Sequence, residues 1–174
     1  MILQPPIVHP VTYDLLIFDA DGTLRSCTVP GQPCPNRPGE YGLMPHVRDT
    51  MALYDWRTVW VSIVSNQGGV GLGFLSEPTA RFLLQETLAE ATGQVIGPTQ
   101  VWMCPHAPQA GCACRKPSPL LLEQAQMPMH SRGLLHGPDQ VLYVGDQTSD
   151  REAAERAGIT FCYAHVFFGW ETTP

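Results

Sequence analysis

Short apolar runs alternate along the chain with longer segments in which apolar residues recur at helical spacing. The runs are bounded by polar or glycine-rich turns, a pattern typical of strands that are buried on both faces of a parallel sheet. They lie at residues 13–19, 57–64, 100–103, 140–144 and 159–163. The pattern therefore predicts five strands.

Four segments between these strands predict helices. Pro45 opens the first, which we expect to run to residue 56. The second spans residues 77–92, between an N-cap at Ser76 and a C-cap at Gly93. The third covers residues 118–127, and the last, which is rich in alanine, closes at Gly158. Strands and helices in alternation indicate a doubly wound α/β fold with a mainly parallel sheet.

The length of 174 residues predicts a single domain over residues 1–174. Within it we distinguish a Pro-rich N-terminal arm (1–12), a loop insertion (25–44) and a Cys-rich loop (104–114). The insertion contains so many Pro and Gly residues that we expect it to have no regular structure.

Composition narrows the class of protein. Hydrophobic residues make up 44% of the chain, as in soluble globular proteins, and a net charge of −6 gives little electrostatic support to a nucleic-acid partner.

No apolar run approaches the roughly 20 residues that a membrane span needs. The first residues lack the basic region of a signal peptide. The six cysteines do not form the dense framework of a small secreted domain, so we expect a cytoplasmic protein.

The Cys-rich loop has the composition of a metal site. Cys104 and His106 are followed by Cys112 and Cys114, so three thiols and an imidazole fall within eleven residues. Soft thiolates with one imidazole favour Zn²⁺ over hard cations. Because four protein ligands leave no position open for a substrate, the sequence predicts a structural zinc site. The alternative is a loop that is rich in cysteine without binding a metal.

Polar clusters follow four of the predicted strands. They are Asp19 with Asp21, Ser65 with Asn66, Arg115 with Lys116, and Asp146 with Asp150. In a doubly wound sheet, ligands bind beyond the carboxyl ends of the strands. Several carboxylates in one crevice coexist as anions only with a cation among them, and hard oxygen ligands suit Mg²⁺. With the ammonium of Lys116 nearby, the remaining space suits an anionic substrate, above all a phosphate.

Two aspartates two residues apart can divide the work of phosphoryl transfer. One carboxylate can attack phosphorus and carry the phosphoryl group, while the other protonates the leaving oxygen and later takes a proton from water. Ser65, Asn66 and Lys116 would bind the equatorial oxygens, where charge is spread in the transition state.

These motifs resemble those of the haloacid dehalogenase (HAD) superfamily of phosphatases. Residues 19–24, Asp-Ala-Asp-Gly-Thr-Leu, resemble its first motif; Ser65 resembles the second, Lys116 the third, and Gly145-Asp146 with Asp150 the fourth. The zinc loop and residues 65–67 further resemble the branch that contains heptose 1,7-bisphosphate phosphatases and the histidinol-phosphatase domain. The resemblance covers most of residues 13–163 and implies a Rossmann-like HAD fold with a small cap or none.

The resemblance also implies a role for each residue. Asp19 would be the nucleophile and Asp21 the general acid and base. Mg²⁺ would be held by the side chains of Asp19 and Asp146 and by the Asp21 carbonyl, with Asp150 as nearby support. Arg115 would contact the substrate. The implied enzyme is a Mg²⁺-dependent phosphatase of a small soluble phosphomonoester, such as a sugar phosphate, a sugar bisphosphate or a histidinol-phosphate-like compound.

The chain departs from this branch at two places. Ala20 stands between the two aspartates where the heptose bisphosphatases usually have Arg, and residues 70–73, Val-Gly-Leu-Gly, replace a segment that commonly contains Arg. The resemblance therefore supports the reaction more strongly than the substrate. Two alternatives stay open: a polynucleotide 3′-phosphatase, and a non-catalytic phosphate-binding or regulatory protein on the same scaffold.

Several features remain outside this assignment. Cys27 and Cys34 are interpreted as incidental loop thiols, with a second metal site or a redox pair as the alternative. Cys162 is expected in the core. The aromatic segment 167–170 is expected to pack on the domain, with a dimer contact as the alternative. We expect a monomer or a weak dimer that binds a small phosphorylated substrate and no membrane.

Overall fold

A computed structural model describes residues 13–170, so the predicted N-terminal arm lies outside the described residues. Its centre is a sheet of five parallel strands. They are β1 (Leu15–Phe18), β4 (Trp60–Asn66), β5 (Val101–Cys104), β6 (Val141–Gly145) and β7 (Thr160–Tyr163). All five predicted strands are present, with ends that differ from the prediction by a few residues.

The strands lie in the order β5-β4-β1-β6-β7, and β1 pairs in parallel with both β4 and β6. The chain first builds the sheet outward from β1 on one side and then returns to build the other side from β6. This reversal is the topological switch point of a doubly wound sheet, where a crevice opens at the carboxyl ends of the strands. Asp19 directly follows β1 at this point.

Helices cover both faces of the sheet. On one face lie α1 (Val47–Met51), α3 (Glu77–Thr92) and α6 (Ala164–Phe167), packed around a core that includes Leu16 and Phe18. On the other face lie α4 (Leu120–His130) and α5 (Thr148–Ala157), packed around Leu15 and Ile17. Successive residues of β1 thus point into opposite cores, as the period of a strand requires. The predicted doubly wound α/β fold is confirmed.

Local capping explains why α3 matches its predicted bounds. The Ser76 hydroxyl accepts a hydrogen bond from the Thr79 backbone N–H at 3.2 Å, which satisfies a donor that the first turn leaves free. At the other end Gly93 adopts a left-handed conformation with φ of 69°. Gly158 ends α5 in the same way, with φ of 68°.

The expectation of no regular structure over residues 25–44 is wrong at both ends of that segment. β2 (Arg25–Cys27) and β3 (Tyr41–Leu43) pair as an antiparallel hairpin. The prolines all lie between these strands, so they restrict the connecting loop and leave the two short strands free to pair. Glu40 organises the loop, since its carboxylate accepts hydrogen bonds from Gln32 and from the backbone N–H groups of Asn36 and Arg37.

Four helices differ from the prediction, and one of them, α6, lies in a segment for which we predicted no helix. The first is shorter than the predicted 45–56, because the chain leaves α1 after Met51 and places Tyr54 against Phe167, with ring centroids 6.2 Å apart. A single turn, α2 (Gly68–Gly71), lies in a segment for which we predicted no helix. The helix predicted to end at residue 127 continues through Pro128 to His130, because Met129 is buried in the core.

The C-terminal aromatic segment packs on the domain, as expected. Phe168 is fully buried and stacks on Phe18, and the Trp170 indole N–H donates to the Pro45 carbonyl at 2.6 Å. Cys162 is half-buried and packs against the same core. Within residues 13–170, no helix has the length and apolar character that crossing a membrane would require.

Replacing Phe168 by Ala tests how much α6 depends on this contact. A buried Phe→Ala change typically costs about 3–5 kcal/mol, and urea unfolding should show a loss of that size. The control is Phe82→Ala, since Phe82 is 50% exposed on α3; its effect should stay within about 0.5 kcal/mol. Equal effects of the two variants would contradict the burial of Phe168 in the core.

Candidate active site

A polar pocket of about 220 Å³ opens at the carboxyl ends of β1, β4 and β6. It is lined by Asp19, Asp21, Ser65, Asn66, Arg115, Lys116, Gln147, Ser149 and Asp150. Four segments that are distant in sequence therefore meet where the topology places the ligand site. All the residues expected at this site except Asp146 line the pocket; the structure adds Gln147 and Ser149.

The Lys116 ammonium is the centre of the site, and it is almost completely buried. Its Nζ lies 2.7 Å from Asp19 Oδ1 and 2.6 Å from Asp150 Oδ1. It also donates to the Tyr143 hydroxyl at 2.9 Å and to the Val64 carbonyl at 3.3 Å. One side chain thus connects the ends of β1 and β4 with β6 and α5.

Two buried carboxylates, Asp19 and Asp150, share the ammonium of Lys116. When all three side chains are ionised, they carry a net negative charge. Burial raises the pKa of Asp19 to about 7, and the attraction of Lys116 only partly opposes this rise. Burial by itself would lower the pKa of Lys116, but Asp19 and Asp150 outweigh it and hold that pKa above its ordinary value. Lys116 therefore stays charged, while an ionised Asp19 needs a further cation nearby.

Asp150 supports Lys116 rather than facing the pocket as a free carboxylate. Its Oδ1 accepts from the Tyr143 hydroxyl at 2.8 Å in addition to lying beside Lys116, and its Oδ2 accepts from the Gln147 backbone N–H at 3.0 Å. Gly145 permits this arrangement, since a Cβ there would lie 2.6 Å from the Asp150 carboxyl group. Both oxygens of Asp150 are thus engaged by protein donors.

Asp146 stands at the edge of the same group. Its oxygens accept hydrogen bonds from the Thr23 hydroxyl at 3.3 Å and the Gln147 side chain at 2.5 Å. The chain passes so close at Gly22 that a Cβ would lie 2.5 Å from an Asp146 oxygen, and φ of 86° at Gly22 also favours glycine. Carboxylate oxygens of Asp19, Asp146 and Asp150 lie within 4.8 Å of one another. This oxygen-rich group fits a hard divalent cation.

Asp21 has a different set of partners from its neighbour Asp19. Its Oδ1 accepts from Arg25 Nε at 2.8 Å, and its Oδ2 accepts from Arg25 Nη2 at 3.3 Å and from Gln67 Nε2 at 2.9 Å. Gln67 also donates to the Ser65 hydroxyl at 2.8 Å. Asp21 and Ser65 are thus fixed by one network behind the pocket wall.

Asn66 fixes the backbone that carries Lys116. Its side-chain oxygen accepts from the Lys116 N–H at 3.0 Å, and its amide donates to the Lys116 carbonyl at 3.3 Å. The Cys-rich loop packs closely on α2, where a Cβ on Gly71 would lie 2.3 Å from the Ala107 nitrogen. These contacts hold the loop against the end of β4.

The four candidate ligands of the Cys-rich loop converge. Cys104 Sγ lies 3.5 Å from both Cys112 Sγ and His106 Nδ1, Cys114 Sγ lies 3.7 Å from Cys112 Sγ, and His106 Nδ1 lies 3.2 Å from Cys114 Sγ. A tetrahedral zinc with Zn–S near 2.3 Å and Zn–N near 2.0 Å requires ligand separations of about 3.5–3.8 Å. The donor set and its spacing fit a zinc ion, with His106 binding through Nδ1.

The sequence analysis assigned no role to five residues that shape the site: Arg25, Gln67, Tyr143, Gln147 and Ser149. Tyr143 carried a signal, because a Tyr within a strand buried on both faces must find a partner for its hydroxyl. Arg25 carried none, since its sequence context does not distinguish a buried guanidinium from a solvated one. Cys27 and Cys34 do not join either group of candidate metal ligands found among the described residues.

Comparisons with known proteins agree with this geometry. A family model described as HAD-hydrolase-like matches residues 113–164. The D-glycero-alpha-D-manno-heptose-1,7-bisphosphate 7-phosphatase of Photorhabdus laumondii is 32% identical over 110 residues, which make up 59% of this chain and 57% of that protein. The Probable D-glycero-D-manno-heptose-1,7-bisphosphate 7-phosphatase of Thermoplasma volcanium is 31% identical over 107 residues, covering 59% of this chain and 67% of that protein.

A solved structure extends the similarity to most of the fold. The crystal structure of D,D-heptose 1,7-bisphosphate phosphatase from Bordetella bronchiseptica, complexed with magnesium and phosphate, superposes with a TM-score of 0.65 at 27% identity. The match covers 85% of this chain and 78% of that one. In sequence, the chain spans little more than half the length of the Photorhabdus relative. The predicted resemblance to HAD phosphatases and to the heptose bisphosphatase branch is confirmed.

Replacing Tyr143 by Phe removes one hydroxyl that both accepts from Lys116 and donates to Asp150. Lys116 and Asp150 keep their other partners in this variant, but two buried hydrogen bonds to charged groups are lost. Because one such bond contributes about 1.5–3 kcal/mol, chemical denaturation should show a loss of about that size. Tyr54→Phe is the matched control, because Tyr54 packs on the opposite core; its effect should stay within about 0.5 kcal/mol. Unchanged stability of Tyr143→Phe would show that the hydroxyl does not support the buried ammonium.

Proposed function

The chain belongs to the HAD-like hydrolases, and from this we propose that it is a Mg²⁺-dependent phosphatase of a small phosphomonoester that works through an aspartyl-phosphate. The observation that carries the proposal is the position of Asp19. Its carboxylate lies at the switch point of the sheet, lines the pocket and is held by Lys116 at 2.7 Å. A nucleophilic carboxylate needs this kind of fixed orientation toward phosphorus.

The carboxylate group beside Asp19 supports a role for magnesium. The side chains of Asp19 and Asp146 would hold the ion together with the Asp21 carbonyl, and Asp150 would act through Lys116 because its own oxygens are engaged. When bound, Mg²⁺ would neutralise charge on the phosphate and on Asp19. The raised pKa of Asp19 supports the same assignment, since an added cation favours the ionised carboxylate.

In the first half-reaction, an oxygen of Asp19 attacks phosphorus and the bond from phosphorus to the ester oxygen breaks. The electron pair of that bond stays on the ester oxygen, which takes a proton from the Asp21 carboxyl group and leaves as an alcohol. The products of this step are the phosphorylated Asp19 and an ionised Asp21.

In the second half-reaction, Asp21 takes a proton from a water molecule whose oxygen attacks the same phosphorus. The bond from phosphorus to the Asp19 oxygen breaks, and its electron pair returns to the Asp19 carboxylate. Inorganic phosphate leaves, and both aspartates are again in their starting states. The same residue thus serves as acid and then as base.

The other residues that line the pocket would bind the phosphate. Ser65 and Asn66 end β4 beside it, and Lys116 adds positive charge at Asp19. Arg115 also lines the pocket, and its Nη1 is buried without a hydrogen-bond partner among residues 13–170. A buried guanidinium nitrogen without a partner is costly, and a phosphate oxygen of the substrate would satisfy it.

The converged thiols and imidazole support a structural zinc ion. With Cys104, His106, Cys112 and Cys114 as ligands, the ion would have a closed shell and would not contact the substrate. Its effect would be to hold the loop that ends in Arg115 and Lys116 against α2. A reducing compartment would preserve these thiols, in keeping with the predicted cytoplasmic location.

The related proteins favour a small sugar phosphate as the substrate. Among the residues that line the pocket, Arg115 and Lys116 are the cations, and Lys116 is already bound to protein acceptors. The pocket is therefore suited to one phosphate group. A screen of sugar monophosphates, sugar bisphosphates, histidinol phosphate, nucleotides and a 3′-phosphorylated oligonucleotide would identify the class.

Asp19→Asn is the direct test of the mechanism. The amide cannot form an acyl phosphate in one step with release of the alcohol, so turnover with Mg²⁺ should fall to background on every ester that the wild-type protein hydrolyses. Phosphate release measures it. Turnover that survives in Asp19→Asn would contradict the proposed nucleophile.

The same variant should not lose stability. Because burial raises the pKa of Asp19 from 3.8 to about 7, its ionised form opposes folding. This penalty is absent below the ordinary pKa, and it grows as the pH rises from that value towards 7. In metal-free buffer, the stability of Asp19→Asn relative to wild type should therefore be greater at pH 8 than at pH 4. Stability is measured as the free energy of unfolding. The opposite trend would refute this electrostatic account.

Metal analysis tests the zinc proposal. Protein prepared without chelator should contain about one zinc per chain, as four protein ligands imply. Cys112→Ser should lose most of that zinc and unfold at a lower temperature, because metal binding contributes to folding. Cys27→Ser, the matched control, should keep the metal. Wild-type protein that is folded and free of zinc would overturn the proposal.

A further inference from the structure

We propose that Arg25 is a positioning residue for proton transfer, and that it orients Asp21 so that Oδ1 is the atom that exchanges the proton with the leaving group and with water. This inference rests on the proposed function, since it assigns a task within the proposed reaction. Arg25 does not line the pocket, and it belongs to none of the sequence motifs that identified the site.

A tight turn brings the two residues together. The Gly22 N–H donates to the Arg25 carbonyl at 2.8 Å, and the Arg25 N–H donates to the Ala20 carbonyl at 3.0 Å. The Arg25 side chain then returns toward Asp21 and meets it with two nitrogens, Nε at 2.8 Å and Nη2 at 3.3 Å. A bidentate contact of this kind fixes the plane of the carboxylate as well as its position.

Arg25 has no access to solvent, so its guanidinium depends entirely on contacts within the protein. Its Nη1 donates to the Thr87 hydroxyl on α3 at 3.0 Å, and its guanidinium carbon lies 5.5 Å from the centre of the Tyr41 ring. Asp21 is its partner in an ion pair. The hydrogen bond to Thr87 fixes the guanidinium against α3. Rotation of the Asp21 side chain would therefore break its contacts with Arg25, so these contacts hold Asp21 in one orientation.

Counting donors identifies the free position on Asp21. An ionised carboxylate offers about four lone-pair positions, two on each oxygen. Oδ2 accepts from Arg25 Nη2 and Gln67 Nε2, while Oδ1 accepts from Arg25 Nε. Three positions are therefore occupied, and the fourth lies on Oδ1. Because Asp21 lines the pocket and its side chain is 21% exposed, this position is the one available to substrate or water.

The consequence depends on the leaving group. A sugar alkoxide is a strong base and leaves slowly unless it receives a proton as the bond to phosphorus breaks. A 4-nitrophenolate leaves readily without one. If Asp21 is misoriented, hydrolysis of a sugar phosphate should slow while hydrolysis of 4-nitrophenyl phosphate should not. General damage to the pocket would slow both reactions.

The test compares kcat/KM of Arg25→Met on a sugar phosphate and on 4-nitrophenyl phosphate. General acid catalysis contributes about 10²–10⁴-fold, so we expect a loss of about 100-fold on the sugar ester and less than about threefold on the nitrophenyl ester. Arg25→Lys keeps the positive charge but loses the contact through two nitrogens. Its kcat/KM on the sugar ester should lie between those of Arg25→Met and the wild type. Arg48→Met, which removes an exposed arginine paired with Glu90, should change neither.

A second variant keeps the inference testable if Arg25→Met does not fold. Thr87→Val removes the anchor of Arg25 Nη1 without touching Asp21, and it should shift the ratio of the two activities in the same direction by a smaller factor. Equal losses on both esters, or an unchanged ratio in Thr87→Val, would overturn the role of Arg25. Wild-type protein that hydrolyses neither ester would instead overturn the proposed function and this inference with it.

Discussion

The buried ammonium of Lys116 is the interaction on which the rest of the site depends. It lies between Asp19 after β1 and Asp150 in α5, and it donates to the Val64 carbonyl in β4. Removing a charge from water is costly unless its partners are well placed, so these contacts define one arrangement of the strand ends. The Cys-rich loop and Asn66 matter to the site because they deliver Lys116 to that position.

Close approach of the backbone makes this arrangement possible. Gly22 and Gly145 let the chain pass within contact distance of Asp146 and Asp150, and Gly71 lets the Cys-rich loop lie on α2. At each place a Cβ would meet another atom at 2.6 Å or less. The glycine-containing motifs therefore serve a packing requirement that is independent of any chemistry. They keep the carboxylates close enough to share cations. Burial is the largest cause of the raised pKa of Asp19, and the nearby carboxylates of Asp150 and Asp21 add to the rise.

The sequence was most informative where the signal is local. Apolar runs predicted all five strands, and Ser76 with Gly93 fixed the bounds of α3, because strand burial and helix capping act over a few residues. The order of strands and the polar residues after them were enough to expect one crevice. The hairpin of β2 and β3 was missed because the intervening prolines dominate the composition of that segment. The cytoplasmic location and the oligomeric state stay predictions.

The individual contacts that support the side chains of the site from distant parts of the sequence could not be predicted. Tyr143 and Asp150 reach Lys116 only through the sheet topology, and Arg25 reaches Thr87 across 62 residues. Such pairs leave no periodic pattern, and an arginine that becomes buried looks like any other in the sequence. The chemistry of the motifs thus identified most of the side chains that line the pocket and named Asp150 as support, while the partners Tyr143, Arg25 and Gln67 emerged only from the fold.

Those supporting partners explain how two neighbouring aspartates can perform different tasks. Asp19 is bound by an ammonium that also serves Asp150, inside a group that is short of positive charge. Asp21, two residues later, is bound on both oxygens by the guanidinium of Arg25, with Gln67 as a further donor. The first environment suits a carboxylate that shares a metal ion with the phosphate, and the second fixes the direction in which a proton is passed. A difference in role between identical side chains therefore follows from which cation each one meets, and the turn from Ala20 to Arg25 is the element that separates them.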